Sequence, residues 1–224
     1  MARKSYQSQL EHLRAEVGAM AETTLERYAA AVDVLDSGDP MAAQRIIEGD
    51  EDINQWYLDI EDDCIELLAL QQPVASDLRF IASSFKIVTD LERIGDLATN
   101  LAQYGRESEG NLVSNADVAP IAQEAGDMVE AAMAAYERGD ADAAREVAAR
   151  DADLDDLCQD ASEALVRELL TTTTVGDVDQ VESTLENVSR ALLTIRDLER
   201  VGDHAVNICA RTLYMVENDD GLLY

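Results

Sequence analysis

Residues 90–102 return 107 positions later as residues 197–209, and eight of the thirteen are identical. The pairs Ile94/Val201 and Leu101/Ile208 differ only conservatively. Upstream, Ser37-Gly38-Asp39-Pro40-Met41-Ala42-Ala43 matches Arg138-Gly139-Asp140-Ala141-Asp142-Ala143-Ala144 at an offset of 101. The change in offset is absorbed between the two matches, in residues 171–177. A unit of about 105 residues is too long for a solenoid repeat. The chain must therefore fold as two like domains, expected at residues 1–110 and 111–224.

Each unit reads as helix. Proline occurs only at positions 40, 73 and 120, and alternating β-branched runs are absent. Apolar residues recur at three and four: Ile53, Trp56, Ile60, Cys64 and Leu67, then Leu78, Ile81, Phe85, Val88 and Leu91. Ser37-Gly38-Asp39-Pro40 supplies a glycine stop, an aspartate N-cap and a proline at the first helical position. Gly139-Asp140 repeats the first two. With breaks at 72–73, 108–115 and 171–177, six helices are expected, near 3–36, 40–71, 74–107, 116–138, 141–170 and 178–217. The fold class is all-α, two tandem pseudo-symmetric three-helix bundles. A helix of about 30 residues spans about 45 Å at 1.5 Å per residue, so an elongated, flat molecule is expected.

The charge narrows the function. Forty-seven acidic and 17 basic residues leave a net charge of −30. Such a field repels nucleic acid and anionic membranes. A hydrophobic fraction of 47% excludes charge-rich disorder. Only Lys4 and Lys86 are lysines, a bias resembling halophilic proteins. The start is polar, and the longest stretch free of charge is ten residues, against the roughly 20 that a membrane span needs. A cytoplasmic protein without membrane insertion is expected. Cys64, Cys158 and Cys209 are isolated and read as buried small apolar residues.

Glu92, Asp96 and Asn100 are spaced i, i+4, i+8, as are Glu199, Asp203 and Asn207. They project from one stripe bordering the apolar stripe of Val88, Leu91, Gly95, Ala98 and Ala102. The same stripe is apolar earlier, at Leu78, Ala82 and Phe85, and at Leu185 and Leu192 in the second half. Acids four apart beside a core repel one another. Arg93 and Arg200 can compensate in part, and a cation binding several oxygens compensates better. Asp50 and Asn54, and their equivalents Asp151 and Asp155, start the preceding helix, which runs antiparallel. They should face the acidic ends, giving two oxygen-ligand sets suited to Mg, Ca, Mn or ferric iron. Gly95 and Gly202 suggest close helix approach, since glycine within a helix costs roughly 1 kcal/mol. His204 could be a ligand or a partner, but a lone histidine is more often structural; His12 carries no signal.

The doubled segments Asp-Leu-Glu-Arg-Ile-Gly-Asp and Asp-Leu-Glu-Arg-Val-Gly-Asp-His resemble the signature of the PhoU family of phosphate-transport and phosphate-signalling regulators. Gly38-Asp39, Asp50-x-x-x-Asn54 and Gln72-Pro73-x-Ala75-x-Asp77-Leu78-Arg79 are similar to that family as well. The resemblance covers about residues 5–215. It implies metal clusters, iron or zinc in some members, at Asp50, Asn54, Glu92 and Asp96 and at Asp151, Asp155, Glu199 and Asp203. It also implies a non-enzymatic negative regulator of phosphate uptake, acting on the ATPase of a phosphate ABC transporter and on a sensor histidine kinase, and a homodimer. Asn54 departs from the acidic pattern that Asp155 keeps, which points to weaker metal binding in the first bundle. Two alternatives stand beside this reading: an accessory of a secondary phosphate permease, and a carboxylate-bridged metalloenzyme or metal-storage bundle. Against the latter, Gln9 and Val201, not glutamates, precede the two histidines by three. Neither a glycine-rich phosphate loop nor a Ser/His/Asp or Cys/His constellation is present.

Overall fold

The computed structural model describes residues 2–71, 73–108, 117–173 and 178–222. Where the sequence suggests six helices, eight segments form: α1 (Ala2–Ser37), α2 (Pro40–Glu48), α3 (Asp50–Gln71), α4 (Ala75–Glu107), α5 (Ala119–Arg138), α6 (Ala141–Ala148), α7 (Asp151–Thr173) and α8 (Val178–Glu217). The two additional breaks split the helices expected at 40–71 and 141–170. The caps fall as the sequence dictates. Gly38 and Gly139 take left-handed φ values of 63° and 61°. The Asp39 carboxylate accepts from the amides of Met41 and Ala42 at 2.8 and 3.2 Å, and Asp140 accepts from Ala143 at 3.0 Å. The expected division at 110/111 lies outside the described residues, as do residues 174–177 of the break expected at 171–177; Thr171, Thr172 and Thr173 instead continue α7.

The split in the first half occurs at Gly49, whose amide still bonds to Arg45 O at 3.1 Å while the chain restarts as α3. Carbonyls freed by the break are taken by Arg27 of α1, which donates to Gly49 O at 2.5 Å and also to Ile46 O. The second half breaks at the same register without a glycine, through Ala149 and Arg150. Both breaks deliver an aspartate to a helix start, Asp50 on α3 and Asp151 on α7. A helix N-terminus favours negative charge there.

Helices α1, α3 and α4 pack on one another, as do α5, α7 and α8; α4 against α8 and α1 against α5 join the halves. The core runs through α4 and α8, where Val88, Leu91, Ala98 and Ala102 of the expected apolar stripe are buried. Leu78 and Leu185, expected on the inner stripe, are instead half exposed at 45% and 50%. They sit near the starts of α4 and α8. All three cysteines are free and buried, as expected.

Polar side chains also bridge the halves. Tyr28 donates to Ala122 O at 2.8 Å, and the Ser84 and Tyr136 hydroxyls meet at 2.7 Å. Arg14 lies over the stacked rings of Phe80 and Tyr136 and bonds the carbonyls of Tyr136 and Glu137 at 3.0 Å. Glycines set two of the closest helix approaches: a Cβ on Gly105 would lie 2.5 Å from Val34 O, and one on Gly202 would collide with Leu154.

Candidate metal centre

In each half the start of the kinked helix lies beside the acidic end of the long one, as the antiparallel arrangement requires. In the first half the contact is direct: Thr99 of α4 donates to Asp50 of α3 at 3.0 Å. Asn54, one turn along, donates to the other Asp50 oxygen at 3.3 Å. Glu92 and Asp96 stand on the same face, and Arg93 reaches both, at 3.5 and 3.4 Å. Burial raises Glu92 and Asp96 above the usual carboxylate range; Asp96 adds to the first and Asp50 to the second, while Arg93 opposes both shifts.

The second half brings Asp151, Asp155, Glu199 and Asp203 together. Burial raises Glu199, and then Asp155, Asp203 and Asp151 raise it further. Asp151 is raised by burial and by Asp155 and Asp203. Asp203 is raised by burial and Asp155, against the opposing influence of His204 and Arg200. Each shift has the sign expected of like charges at the margin of a core. Among the described residues none of the four has a hydrogen-bond or ion-pair partner. Arg200, which the sequence suggests should compensate here, forms its ion pair with Asp197 at 3.7 Å and acts on Asp203 only from a distance.

The asparagines leave the acidic stripe. Eight residues at 100° overshoot two turns by about 80°, enough to carry i+8 onto the neighbouring face. Asn100 therefore donates across the seam to Asp197 at 3.3 Å, and Asn207 to Asp90 at 3.2 Å. Tyr104 adds a bond to Asp197 at 3.1 Å. Asp197 is wholly buried, with Arg196 on its other oxygen at 2.7 Å. His204 also turns to the seam, its Nδ1 2.9 Å from Asp90 Oδ1. It is a partner of the opposite repeat, the structural role usual for a lone histidine.

Sequence reasoning missed Arg27. Its side chain is 10% exposed and lies 3.3 Å from Asp50. Burial pulls its guanidinium below the ordinary value, and Asp50, Asp52 and Asp96 counteract that. Carrying the 101 offset back into α1 would have exposed it, since the equivalent residue in α5 is Met128.

The donor chemistry of the second set, four carboxylates free of protein donors, fits a hard cation. Among the described residues, no three acidic, cysteine or histidine groups form a ready coordination shell. A bound ion would have to draw the carboxylates inward. The grooves along α5–α6 and between α1 and α5 contain none of the eight candidates.

The PhoU domain model matches the chain twice, over residues 17–105 and 118–212. The phosphate-specific transport system accessory protein PhoU homolog of Pseudomonas putida is 36% identical over 97% of this chain and 82% of its own length. The phosphate-specific transport system accessory protein PhoU of Escherichia coli K12 is 30% identical, over 96% of this chain and 86% of its own. The crystal structure of PhoU from Pseudomonas aeruginosa superposes with a TM-score of 0.84 at 33% identity, covering 96% of this chain and all of that one. The phosphate transport system regulatory protein PhoU from Streptococcus pneumoniae gives the same TM-score at 27% identity, covering 96% and 98%.

Proposed function

Because this chain belongs to the PhoU family, we propose that it is a non-catalytic accessory of phosphate transport that restrains uptake when phosphate is plentiful. It acts in the cytoplasm as a homodimer, docking on the ATPase subunit of a phosphate ABC transporter and, where one exists, on a sensor histidine kinase. The observation that carries the reading is the double family match, which spans both repeats. The named roles of the relatives support it: accessory protein of a phosphate-specific transport system, and phosphate transport regulatory protein. No helix among the described residues is long and apolar enough to cross a membrane.

The proposal includes bound metal, single or multinuclear, iron or zinc by family resemblance and Mg, Mn or Ca by ligand type, held by the acidic faces. When bound, the ion supplies positive charge that lets several carboxylates share one face. The residues themselves present the oxygens, and the breaks at Gly49 and Arg150 place Asp50 and Asp151 where a helix start steadies a negative charge.

Deletion of the gene in phosphate-replete cells should raise phosphate accumulation. Unchanged uptake would count against the regulatory role. A pull-down with the cell's own proteins should recover the transporter ATPase. Recovery of a secondary phosphate permease in its place would replace the ABC-transporter assignment.

A further inference from the structure

The two acidic faces are copies in sequence but not in chemistry. Asp50 is held by three donors: Arg27 at 3.3 Å and Thr99 at 3.0 Å on one oxygen, and Asn54 at 3.3 Å on the other. The repeat offsets carry these positions to Met128, Val206 and Asp155. None of the three can donate a hydrogen bond to a carboxylate when Asp155 is ionised. One repeat thus surrounds its aspartate with a cation, an amide and a hydroxyl. At the equivalent sequence positions the other carries a thioether, an isopropyl group and a further carboxylate.

Arg27 is also fixed independently of the acids. It donates to the carbonyls of Gly49 and Ile46 at the kink, so its guanidinium is anchored where a metal would have to sit beside Asp50. Displacing it would strand those carbonyls and leave a largely buried guanidinium without its partners. Arg93 further bonds Glu92 and Asp96 at the surface, a weaker contribution because it is 54% exposed. Among the described residues no cation forms an ion pair with Asp151, Asp155, Glu199 or Asp203, and Arg200 and His204 act on Asp203 only from a distance. Arg150, which occupies the register of Gly49, turns away to Glu124 at 2.8 Å.

We infer that Arg27, with Asn54 and Thr99, takes the place of a metal ion in the first repeat, so that the second repeat alone, through Asp151, Asp155, Glu199 and Asp203, takes the cation. This inference rests on the metal-binding part of the proposed function. It extends beyond the Asn54 departure, because it assigns the first site a protein cation in place of weak metal affinity.

The test uses Mn2+ alone as the probe, on the full chain stripped with chelator and dialysed, with bound metal read by elemental analysis and helicity by circular dichroism. Wild-type protein should retain Mn2+. Glu199→Gln with Asp203→Asn should remove it, and Glu92→Gln with Asp96→Asn should leave it in place. Arg27→Met with Asn54→Asp and Thr99→Val copies the second face into the first and should raise bound Mn2+ about twofold, since it adds a second all-oxygen site. The reciprocal Met128→Arg, Asp155→Asn, Val206→Thr should abolish binding. Loss of Mn2+ in the Glu92/Asp96 variant, or its retention in the Glu199/Asp203 variant, overturns the assignment. Those two variants keep the test decisive if the triple substitutions fail to fold. Absence of Mn2+ from wild-type protein overturns the metal reading itself, and this is seen before any variant is made.

Discussion

Gly105→Ala should destabilise the protein, although alanine is the better helix former. A methyl carbon at this position would lie 2.5 Å from Val34 O, 2.7 Å from Val34 C and 2.8 Å from Leu35 N. All three are backbone atoms, so no rotamer change can make room. Ordinary contact begins near 3.4 Å, and α1 and α4 would have to part by about 0.9 Å. Helix propensity returns about 1 kcal/mol. Forced separation of packed elements costs about 3 kcal/mol, the upper part of the overpacking range. The net loss is about 2 kcal/mol, or about 4–8 °C in Tm for a chain of this size. Gly18→Ala is the internal control. There the added carbon meets only the Oε1 of Glu137 at 2.8 Å, the far end of a flexible side chain. The propensity gain should survive, and Tm should rise by about 1–3 °C. Both variants are compared with the parent in thermal melts under one salt and metal condition. A Gly105→Ala protein as stable as the parent would refute the argument that backbone contact between α1 and α4 sets this approach.

Two further outcomes are expected. In metal-free protein the carboxyls of Asp151, Glu199 and Asp203 are raised by burial and by their neighbours. The folded state therefore holds extra protons, and the stability these supply is complete below the ordinary carboxyl range and lost as pH rises through the raised values. Compared with Glu199→Gln/Asp203→Asn, chelated wild-type protein should lose stability as pH climbs from about 4; parallel pH profiles for the two proteins would show that these acids are not strained. Self-repulsion at a net charge of −30 should make both stability and dimerisation rise with salt, since the screening length falls to about 3 Å at 1 M. Melts and sedimentation across a salt series check this, and flat profiles would contradict it.

The repeat, the helix ends and the pairing of acidic faces were all legible in the residues, because each rests on local chemistry. Gly38-Asp39-Pro40 can do little but end one helix and start the next. The kinks were not legible. One has a glycine and the other has only Ala149 and Arg150, so residue propensity does not mark the break. The direction of Asn100 and Asn207 was misjudged because helical drift moves i+8 off the stripe, and the partners that receive them, Asp197 and Asp90, lie in the other repeat. Arg27 escaped notice for a related reason. A single arginine in an amphipathic helix looks like any surface charge until the kink shows which carbonyls it must bind.

The seam between α4 and α8 uses one pair of residues in both directions: Asp90 receives Asn207, and Asp197 receives Asn100. Each repeat carries both members of the pair on a single helix. This is the contact pattern of an isologous two-fold interface, the kind by which two identical subunits close on each other, but here the subunits share one polypeptide. Fusion changes what substitution can do. In a true homodimer every substitution appears twice, and a cation placed beside one acidic face is placed beside both. In a tandem chain the copies are encoded separately. Arg27 can stand opposite Met128, Thr99 opposite Val206 and Leu97 opposite His204. Joining the halves preserved the geometry of symmetry while releasing its chemistry to diverge.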